Sequence, residues 1–168
     1  MNYTWRNATL ADVTAVVKMA QQHFESEIDT IFTPEPVVYA RNITVAVHTQ
    51  QYFPTKELLA VAYNPENPRH LLAYTWIAAN EVAAWSDDRI SSVRIAHVDL
   101  SVSARTRIKL VNDMIEIWEN FARYADTPIL CSTTMRNDQQ AFLKLHLRAG
   151  YDIRGSYAYK RIDLKATQ

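Results

Sequence analysis

The sequence predicts an α/β (α+β) fold in which a mixed central sheet of six to seven strands is flanked by about four helices. Segments with strand and helix periodicity follow one another along the chain without a repeat or a linker. The chain has 168 residues, enough for one well-packed domain spanning 1–168. Its 48% hydrophobic and 21% charged residues are typical of a globular protein.

The first predicted elements are a short strand and an amphipathic helix. Tyr3 to Arg6 form a mixed apolar stretch. In "TLADVTAVVKMAQQHF", Thr9 can cap a helix and Asp12 suits the first turn of that helix. The apolar residues of this segment recur at helical spacing, at Val13, Val16, Val17, Ala20 and Phe24.

A second helix and a hairpin are predicted next. Pro34 and Pro36 interrupt the chain before "VVYARNITVAVHTQQ", which predicts a helix, although its β-branched residues also permit a partly extended segment. The run "ELLAVAYNPENPRHLLAYTWIAA" predicts two apolar strands around a turn that contains proline and asparagine.

A long strand is predicted from about Ile90 to Val102, after a turn at Ser86 to Asp88. Its alternation puts His97 and Asp99 on the same face. The helix predicted from Ala104 to Ala125 then carries an apolar stripe, formed by Val111, Met114, Ile115, Trp118, Phe121 and Ala122.

The last predicted elements are a strand, a helix and a terminal strand. "TPILCSTTM" is typical of a buried strand. "NDQQAFLKLHLRAG" predicts a helix that ends at Gly150, a residue well suited to follow a helix. "YDIRGSYAYKRIDL" shows some of the alternation of a strand.

Composition excludes several classes of protein. The 18 Lys and Arg residues balance the 18 Asp and Glu residues, so the chain has no overall positive charge for nucleic acid. The lone Cys131 excludes an intrachain disulfide, and no segment is typical of a secretion signal or a membrane span. The five histidines lack metal-ligand spacing. We therefore expect a cytoplasmic protein with no metal, no membrane partner and no clear nucleic-acid partner.

Three stretches resemble, in their order and spacing, the GNAT family of acyl-CoA-dependent N-acyltransferases. They are "RNATLADVTAVVKMA", "VDLSVSARTRIKLVNDMIEIW" and "FLKLHLRAGYDIRGS". The resemblance extends over nearly the whole chain in element order. It implies the GNAT fold, acetyl-CoA as co-substrate, and an amine of a small molecule or a protein as acceptor.

The second stretch resembles the family's acyl-CoA loop, R/Q-x-x-G-x-G/A, whose backbone N–H groups hold the pyrophosphate at a helix N-terminus. Arg107 takes the leading basic position, but Leu110 and Asn112 replace the small residues, so the loop is degenerate. The preceding backbone, Asp99 to Val102, matches the position that pairs with the pantetheine arm and polarises the thioester. The cofactor contacts that the resemblance implies are Leu100, Ser101, Val102, Arg105, Arg107, Ile108, Lys109, Leu110, Val111 and Asn112.

The resemblance also implies catalytic residues. His146 stands where many members have the tyrosine that protonates the leaving thiolate. His97 and Asp99 lie on a strand that often supplies the group that deprotonates the amine. Three acidic residues in the acceptor region could attract a cationic amine, namely Glu25, Glu27 and Asp29.

Each of these residues also has a structural interpretation. Leu110 could pack in the core, and His146 could be a helix residue without a role in proton transfer. The alternative for the whole chain is an inactive GNAT-fold binding or structural module. Such a module could act as a homodimer with exposed aromatic anchors at Trp85, Tyr52 and Phe53. An unrelated α/β fold would lack the splay between the fourth and fifth strands.

Overall fold

The structure of the protein is a computed structural model that describes residues 2–27, 32–134 and 139–155. None of the helices in these ranges is long and apolar enough to cross a bilayer. The elements, in chain order, are β1 (Thr4–Asn7), a short 3-10 helix (Leu10–Asp12), α1 (Val13–Glu27), α2 (Pro36–Tyr52), β2 (Glu57–Asn64), β3 (Asn67–Val82), β4 (Arg89–Val98), α3 (Ala104–Tyr124), β5 (Ile129–Ser132) and α4 (Gln140–Arg148).

The strands form one mixed sheet of five strands in the order β1-β2-β3-β4-β5. Neighbours from β1 to β4 are antiparallel, and β5 is parallel to β4. The prediction of six to seven strands is not matched within the described residues. The predicted terminal strand begins in residues 151–155, which form no strand, and continues into 156–168, which lie outside the described residues.

A hydrogen-bonded cap starts the first helical segment, as the sequence predicts. The Asp12 carboxylate accepts hydrogen bonds from the Thr9 backbone N–H at 2.8 Å and from the Thr9 hydroxyl at 3.0 Å. Arg6 of β1 donates two further bonds to this carboxylate, at 2.7 and 2.8 Å. Burial would raise the pKa of Asp12, but Arg6 and Thr9 hold that pKa below its ordinary value. The ion pair therefore connects β1 to the start of α1.

α2 is helical throughout, with Pro36 in the first turn, where a missing N–H is harmless. Near the end of α2, the buried Gln50 side chain forms hydrogen bonds with Ala8, which follows β1, and with Leu59 of β2. Its amide N–H donates to the Ala8 carbonyl at 2.7 Å, and its carbonyl accepts the Leu59 N–H at 2.9 Å. Both ends of the amide are thus satisfied, as a buried polar group requires.

The helices cover both faces of the sheet and bury an apolar cluster on each face. The first cluster lies under α1 and α2 and includes Val16, Ile43, Leu59 and Tyr74. The second lies under α3 and α4 and includes Leu110, Met114 and Trp118.

A buried hydrogen-bond chain crosses the second cluster. The Trp118 indole N–H donates to the Thr75 hydroxyl at 2.7 Å, and that hydroxyl donates to the Ile95 carbonyl at 2.9 Å. Trp118 and Thr75 are both fully buried. The chain therefore holds α3 against β3 and β4 at the middle of the sheet.

Candidate functional site

The sheet opens between β4 and β5, and this opening defines the candidate site. In the part of the chain that the structure describes, β5 pairs with β4 over Ile90–Val93, with Val93 facing Ser132. β5 ends at Ser132, whereas β4 continues to Val98. Within the described residues, β4 therefore extends beyond the last residue of β5.

A β-bulge lies where the two strands part. Trp76 and Ile77 are neighbours on β3, but they face Ile95 and Val93 on β4. Arg94 is thus an extra residue in β4, and an extra residue bends and twists its strand. The bulge accounts for the point at which the opening begins.

The open edge of β4 presents backbone hydrogen-bonding groups. The Asp99 N–H donates to the Leu72 carbonyl of β3 at 2.8 Å. Successive residues of an antiparallel strand point their backbone groups alternately toward the partner and away from it. Ala96 and Val98 therefore direct N–H and C=O groups to the edge that β5 leaves open. The Val98 carbonyl accepts a hydrogen bond from His23 Nε2 of α1, at 2.9 Å.

A tight turn connects this edge to α3. The Asp99 carboxylate accepts the Ser101 N–H at 2.9 Å, and the Asp99 carbonyl accepts the Val102 N–H at 3.3 Å. The Ser103 side chain then caps the helix by accepting the Thr106 N–H at 3.3 Å. The prediction that the strand continues to Val102 is wrong, because the Asp99 side chain bonds the backbone locally and closes a turn.

The N-terminus of α3 can hold an anion. Its first internal hydrogen bond runs from the Arg107 N–H to the Ser103 carbonyl at 2.9 Å. The amides of Ala104 and Arg105 come earlier and have no helical carbonyl to bond. Ser101, Ser103 and Ala104 are small and exposed, so a ligand can approach this helix end without a glycine. Such a terminus attracts negative charge.

The basic side chains of this helix point in different directions. Arg105 is exposed and Arg107 is half-buried beside the helix start. The Lys109 ammonium instead lies 4.8 Å from the centroid of the Tyr3 ring of β1. Arg105 and Arg107 therefore remain as the cations nearest to the helix start in sequence.

Leu110 packs in the core beneath α3. α3 begins at Ala104, so the amides of Leu110, Val111 and Asn112 lie inside the helix and not at its end. The Leu110 side chain is fully buried in the second cluster with Met114, four residues along the helix. This burial favours the structural interpretation of Leu110, and its contact with a cofactor stays a prediction. Among the other predicted contacts, Leu100 and Ile108 are exposed and Val102 is buried.

A buried cluster of imidazoles and hydroxyls lies beside the open edge. The Tyr74 hydroxyl lies 2.7 Å from His97 Nδ1 and 2.8 Å from the Tyr39 hydroxyl. The His23 ring stacks on the His97 ring, with centroids 4.1 Å apart and planes 7° apart. The two imidazoles and the two hydroxyls therefore form one connected group beside the open edge.

Asp99 bonds to the turn and to His70. It follows Val98, the last residue of β4, and its N–H continues the pairing with β3 by donating to the Leu72 carbonyl. Its carboxylate lies 3.2 Å from His70 Nε2. Burial would raise the pKa of Asp99, but the Ser101 hydrogen bonds and His70 hold that pKa below its ordinary value. Asp99 therefore organises the turn.

His146 of α4 lies in the second cluster and is 2% exposed. Its Nδ1–H donates to the Phe142 carbonyl at 2.9 Å, so in the neutral ring Nε2 accepts from the Ser132 hydroxyl at 3.0 Å. The rings of Trp118, Phe142 and Tyr151 surround it. Burial lowers the pKa of His146. The Nδ1–H proton of the neutral ring is engaged by the Phe142 carbonyl, and the role of His146 as proton donor stays a prediction.

Solved structures of low sequence identity share this architecture. A predicted acetyltransferase with acetyl-CoA from Clostridium acetobutylicum matches with a TM-score of 0.70 at 10% identity, over 95% of this chain and 96% of that one. Glucosamine-6-phosphate N-acetyltransferase from Arabidopsis thaliana matches with a TM-score of 0.67 at 9% identity, over 97% and 100%. The protein has the GNAT fold. An aminoglycoside 6'-N-acetyltransferase from Acinetobacter baumannii matches with a TM-score of 0.66 at 10% identity, over 98% and 100%. No family model and no curated protein matches the sequence.

The GNAT fold brings together residues that the sequence analysis did not single out, namely His23, Tyr39 and Tyr74. His23 follows Ala20 by three positions and Val16 by seven, so it continues the buried stripe of α1. Tyr74 faces His97 across the β3–β4 ladder. A histidine on the apolar face of the first helix was the signal available in the sequence.

The remaining candidate groups add no further chemistry to the site. The described residues contain no group of three or more side chains that could hold a metal ion. Burial, and to a smaller extent Glu81, raises the pKa of the Cys131 thiol, which opposes its use as a nucleophile. The side chains of the predicted acidic acceptor residues, Glu25, Glu27 and Asp29, lie outside the described residues.

Proposed function

We propose that the protein is an N-acyltransferase that moves an acetyl group from acetyl-CoA to an amine of a small molecule or a protein. The observation that supports this most is one continuous polar path. It begins at the open backbone edge of β4, at Ala96 and Val98, and continues through the Asp99 turn to the N-terminus of α3.

Acetyl-CoA fits the chemistry of this path. The backbone N–H and C=O groups of Ala96 and the N–H of Val98 suit the amides of a pantetheine arm, which would pair with the strand edge as another strand does. The Val98 carbonyl already accepts from His23. The amides of Ala104 and Arg105, with the guanidinium groups of Arg105 and Arg107, suit the pyrophosphate. Bound there, acetyl-CoA supplies the thioester carbon that the amine attacks.

The residues of this chain would serve two steps of the transfer. A backbone N–H at the open edge can stabilise the oxyanion of the tetrahedral intermediate. His97, next to that edge, can accept the proton of the amine as the C–N bond forms and the C–S bond breaks. The departing thiolate takes a proton from water, and His146 has no part in this proposal.

The first test is thermal unfolding with and without acetyl-CoA, backed by calorimetric titration. A ligand at 100 times its Kd stabilises the folded state by about 2.7 kcal/mol. For a chain of this size, that corresponds to a rise in Tm of roughly 5–10 °C. The Arg105→Glu/Arg107→Glu variant should bind acetyl-CoA at least roughly tenfold more weakly, because it replaces two cations with anions at the pyrophosphate position.

Arg41→Glu is the matched control, because Arg41 is an exposed arginine on α2, across the sheet. It should bind acetyl-CoA like the wild type. Thiol release would then be measured with amino-sugar phosphates, aminoglycosides and a peptide with N-terminal alanine. These acceptors follow the names of structural neighbours. A protein that gains no stability and releases no heat at millimolar acetyl-CoA would contradict the proposal.

The second candidate is a GNAT-fold binding or structural module that works as a homodimer. Three exposed aromatic residues favour it, since Trp85 is 89%, Tyr52 68% and Phe53 59% exposed. Large exposed aromatic side chains are typical interface anchors. A dimer that dissociates on Trp85→Ser, in a protein that does not bind acetyl-CoA, would favour this candidate.

A further inference from the structure

The cluster of His23, His97, Tyr74 and Tyr39 connects the open edge of β4 to the surface of α2. We propose that the stacked His23–His97 pair accepts one proton from the acceptor amine, and that Tyr74 and Tyr39 pass a proton on to solvent. The inference rests on the proposed function and deepens it, because it identifies the path by which the proton leaves the site.

The first step is the position of the pair. His23 Nε2 donates to the Val98 carbonyl, one of the backbone groups at the open edge. His97 is the residue before Val98 and belongs to the part of β4 that extends past β5. A thioester held along this edge would therefore have the imidazole pair beside it.

The second step is the burial of the pair. The two rings stack with centroids 4.1 Å apart and are 1% and 2% exposed, so a proton left on the pair would lie away from water. The Tyr74 hydroxyl of β3 bonds to the pair, and the Tyr39 hydroxyl of α2 bonds to Tyr74. Because an isolated charge is costly in a buried position, passing a proton along these hydroxyls stabilises the site after each transfer.

The third step is the route outward. Tyr74 is fully buried, whereas Tyr39 is only partly buried. When the His97 ring takes up a proton, its Nδ1–H can pass a proton to the Tyr74 oxygen. Tyr74 passes its own proton to Tyr39, and Tyr39 passes its own to water. One proton enters and one leaves, so both tyrosines stay neutral and the buried pair returns to its starting charge.

Tyr74 and Tyr39 act through His97 and are therefore positioning residues, so their test needs a readout that packing alone would not change. We would measure kcat, KM and the pH profile of kcat for Tyr74→Phe and Tyr39→Phe. Each substitution removes one hydroxyl and keeps the ring. Tyr52→Phe is the matched control, since Tyr52 lies on the same helix as Tyr39 and is 68% exposed.

We expect Tyr74→Phe to lower kcat by roughly tenfold, less than the hundredfold typical of losing the proton acceptor itself. The KM for acetyl-CoA should stay unchanged, because neither hydroxyl lies on the path proposed for that ligand. The kcat profile should move to higher pH, since the pair would then lose its proton only to bulk base. Tyr39→Phe should show a smaller change in the same direction, and Tyr52→Phe none.

NMR spectra of the imidazole nitrogens give a readout that does not depend on activity. Tyr74→Phe should shift the Nδ1 resonance of His97 more than Tyr39→Phe does, because only the Tyr74 hydroxyl bonds directly to that nitrogen. His48→Gln helps to assign the spectra, because it removes an exposed histidine of α2.

The outcomes separate this inference from the proposed function. An active wild type whose Tyr74→Phe and Tyr39→Phe variants keep the kcat and its pH profile would overturn the relay alone. An unchanged Nδ1 resonance of His97 in Tyr74→Phe would show that the relay lacks its first hydrogen bond and would overturn it. A wild type that binds no acetyl-CoA would overturn the proposed function, and the relay with it. If Tyr74→Phe fails to fold, the more exposed Tyr39→Phe decides.

Discussion

His97 and His146 are each 2% exposed, and the sequence predicts a catalytic role for both, but their surroundings differ. His97 lies beside the open edge of β4, stacked on His23 and bonded to the Tyr74 hydroxyl. His146 lies under α3 among the rings of Trp118, Phe142 and Tyr151, and its Nε2 bonds to the Ser132 hydroxyl.

The difference is in what each imidazole is connected to. Within the described residues, the hydrogen bonds of His146 lead to the Phe142 carbonyl and to Ser132, and no titratable group follows them there. The hydrogen bond of His97 continues through Tyr74 to the partly exposed Tyr39. Equal burial therefore permits opposite roles, and the hydrogen-bond connections decide between them.

The largest expected effect is the loss of stability when His146 is removed. His146→Ala should lower the free energy of unfolding by roughly 3 kcal/mol, because it leaves a cavity among packed rings and removes two hydrogen bonds. Leu147→Ala is the control, since Leu147 is next in the same helix and 56% exposed. Denaturant unfolding measures both variants.

The same His146→Ala variant should keep the kcat for acetyl transfer at temperatures where it is folded. A folded His146→Ala variant of nearly wild-type stability that has lost its kcat would reverse the two roles.

A smaller effect is expected where the two regions meet. Thr75→Val should cost about 1–3 kcal/mol, because the Trp118 indole N–H would lose its acceptor in a fully buried position. Thr75→Ser keeps the hydroxyl and should lose clearly less. Equal losses in Val and Ser variants, measured by denaturant unfolding, would show that the methyl group and not the hydrogen bond matters.

Most of the fold could be predicted from the sequence, because hydrophobic periodicity and turn residues determine helices and strands locally. The helical stripe of α3 and the cap formed by Thr9 and Asp12 depend on neighbours within a few positions, and both are present. The end of β4 could not be predicted, because the bulge at Arg94 and the turn at Asp99 depend on pairing with β3 and on local side-chain hydrogen bonds.

The candidate site was harder to predict for the same reason. Alignment on a loop pattern assigned Leu110 to the ligand, whereas its helical spacing from Met114 assigns it to the core. His23 joins His97 only after α1 packs on the sheet, a contact between residues that are far apart in the sequence. A site formed by residues of several helices and strands has no recognisable pattern within one segment of the sequence.

The turn on the His97 side should respond more weakly. Asp99→Ala removes the acceptor for the Ser101 N–H and should cost about 1 kcal/mol, whereas Asp99→Asn keeps an acceptor oxygen there and should cost less. If the turn holds the N-terminus of α3 in position, acetyl-CoA affinity should fall in the same order. Equal affinities in the three proteins, measured by calorimetry, would separate the turn from ligand binding.

The smallest expected effect is a pH dependence that distinguishes His146 from the carboxylates. Burial lowers the pKa of His146 in the folded protein below the unfolded value of about 6.5. As the pH falls below about 6.5, the unfolded chain takes up a proton at this residue before the folded protein does, so stability falls. The lowered pKa values of Asp12 and Asp99 affect stability only below about pH 4, where unfolded aspartates protonate.

The Tm of the wild type should therefore fall more steeply than that of His146→Ala between about pH 6.5 and 5. Parallel Tm curves would mean that His146 is protonated as readily in the folded state as in the unfolded chain, and the contrast with His97 would then lose its basis.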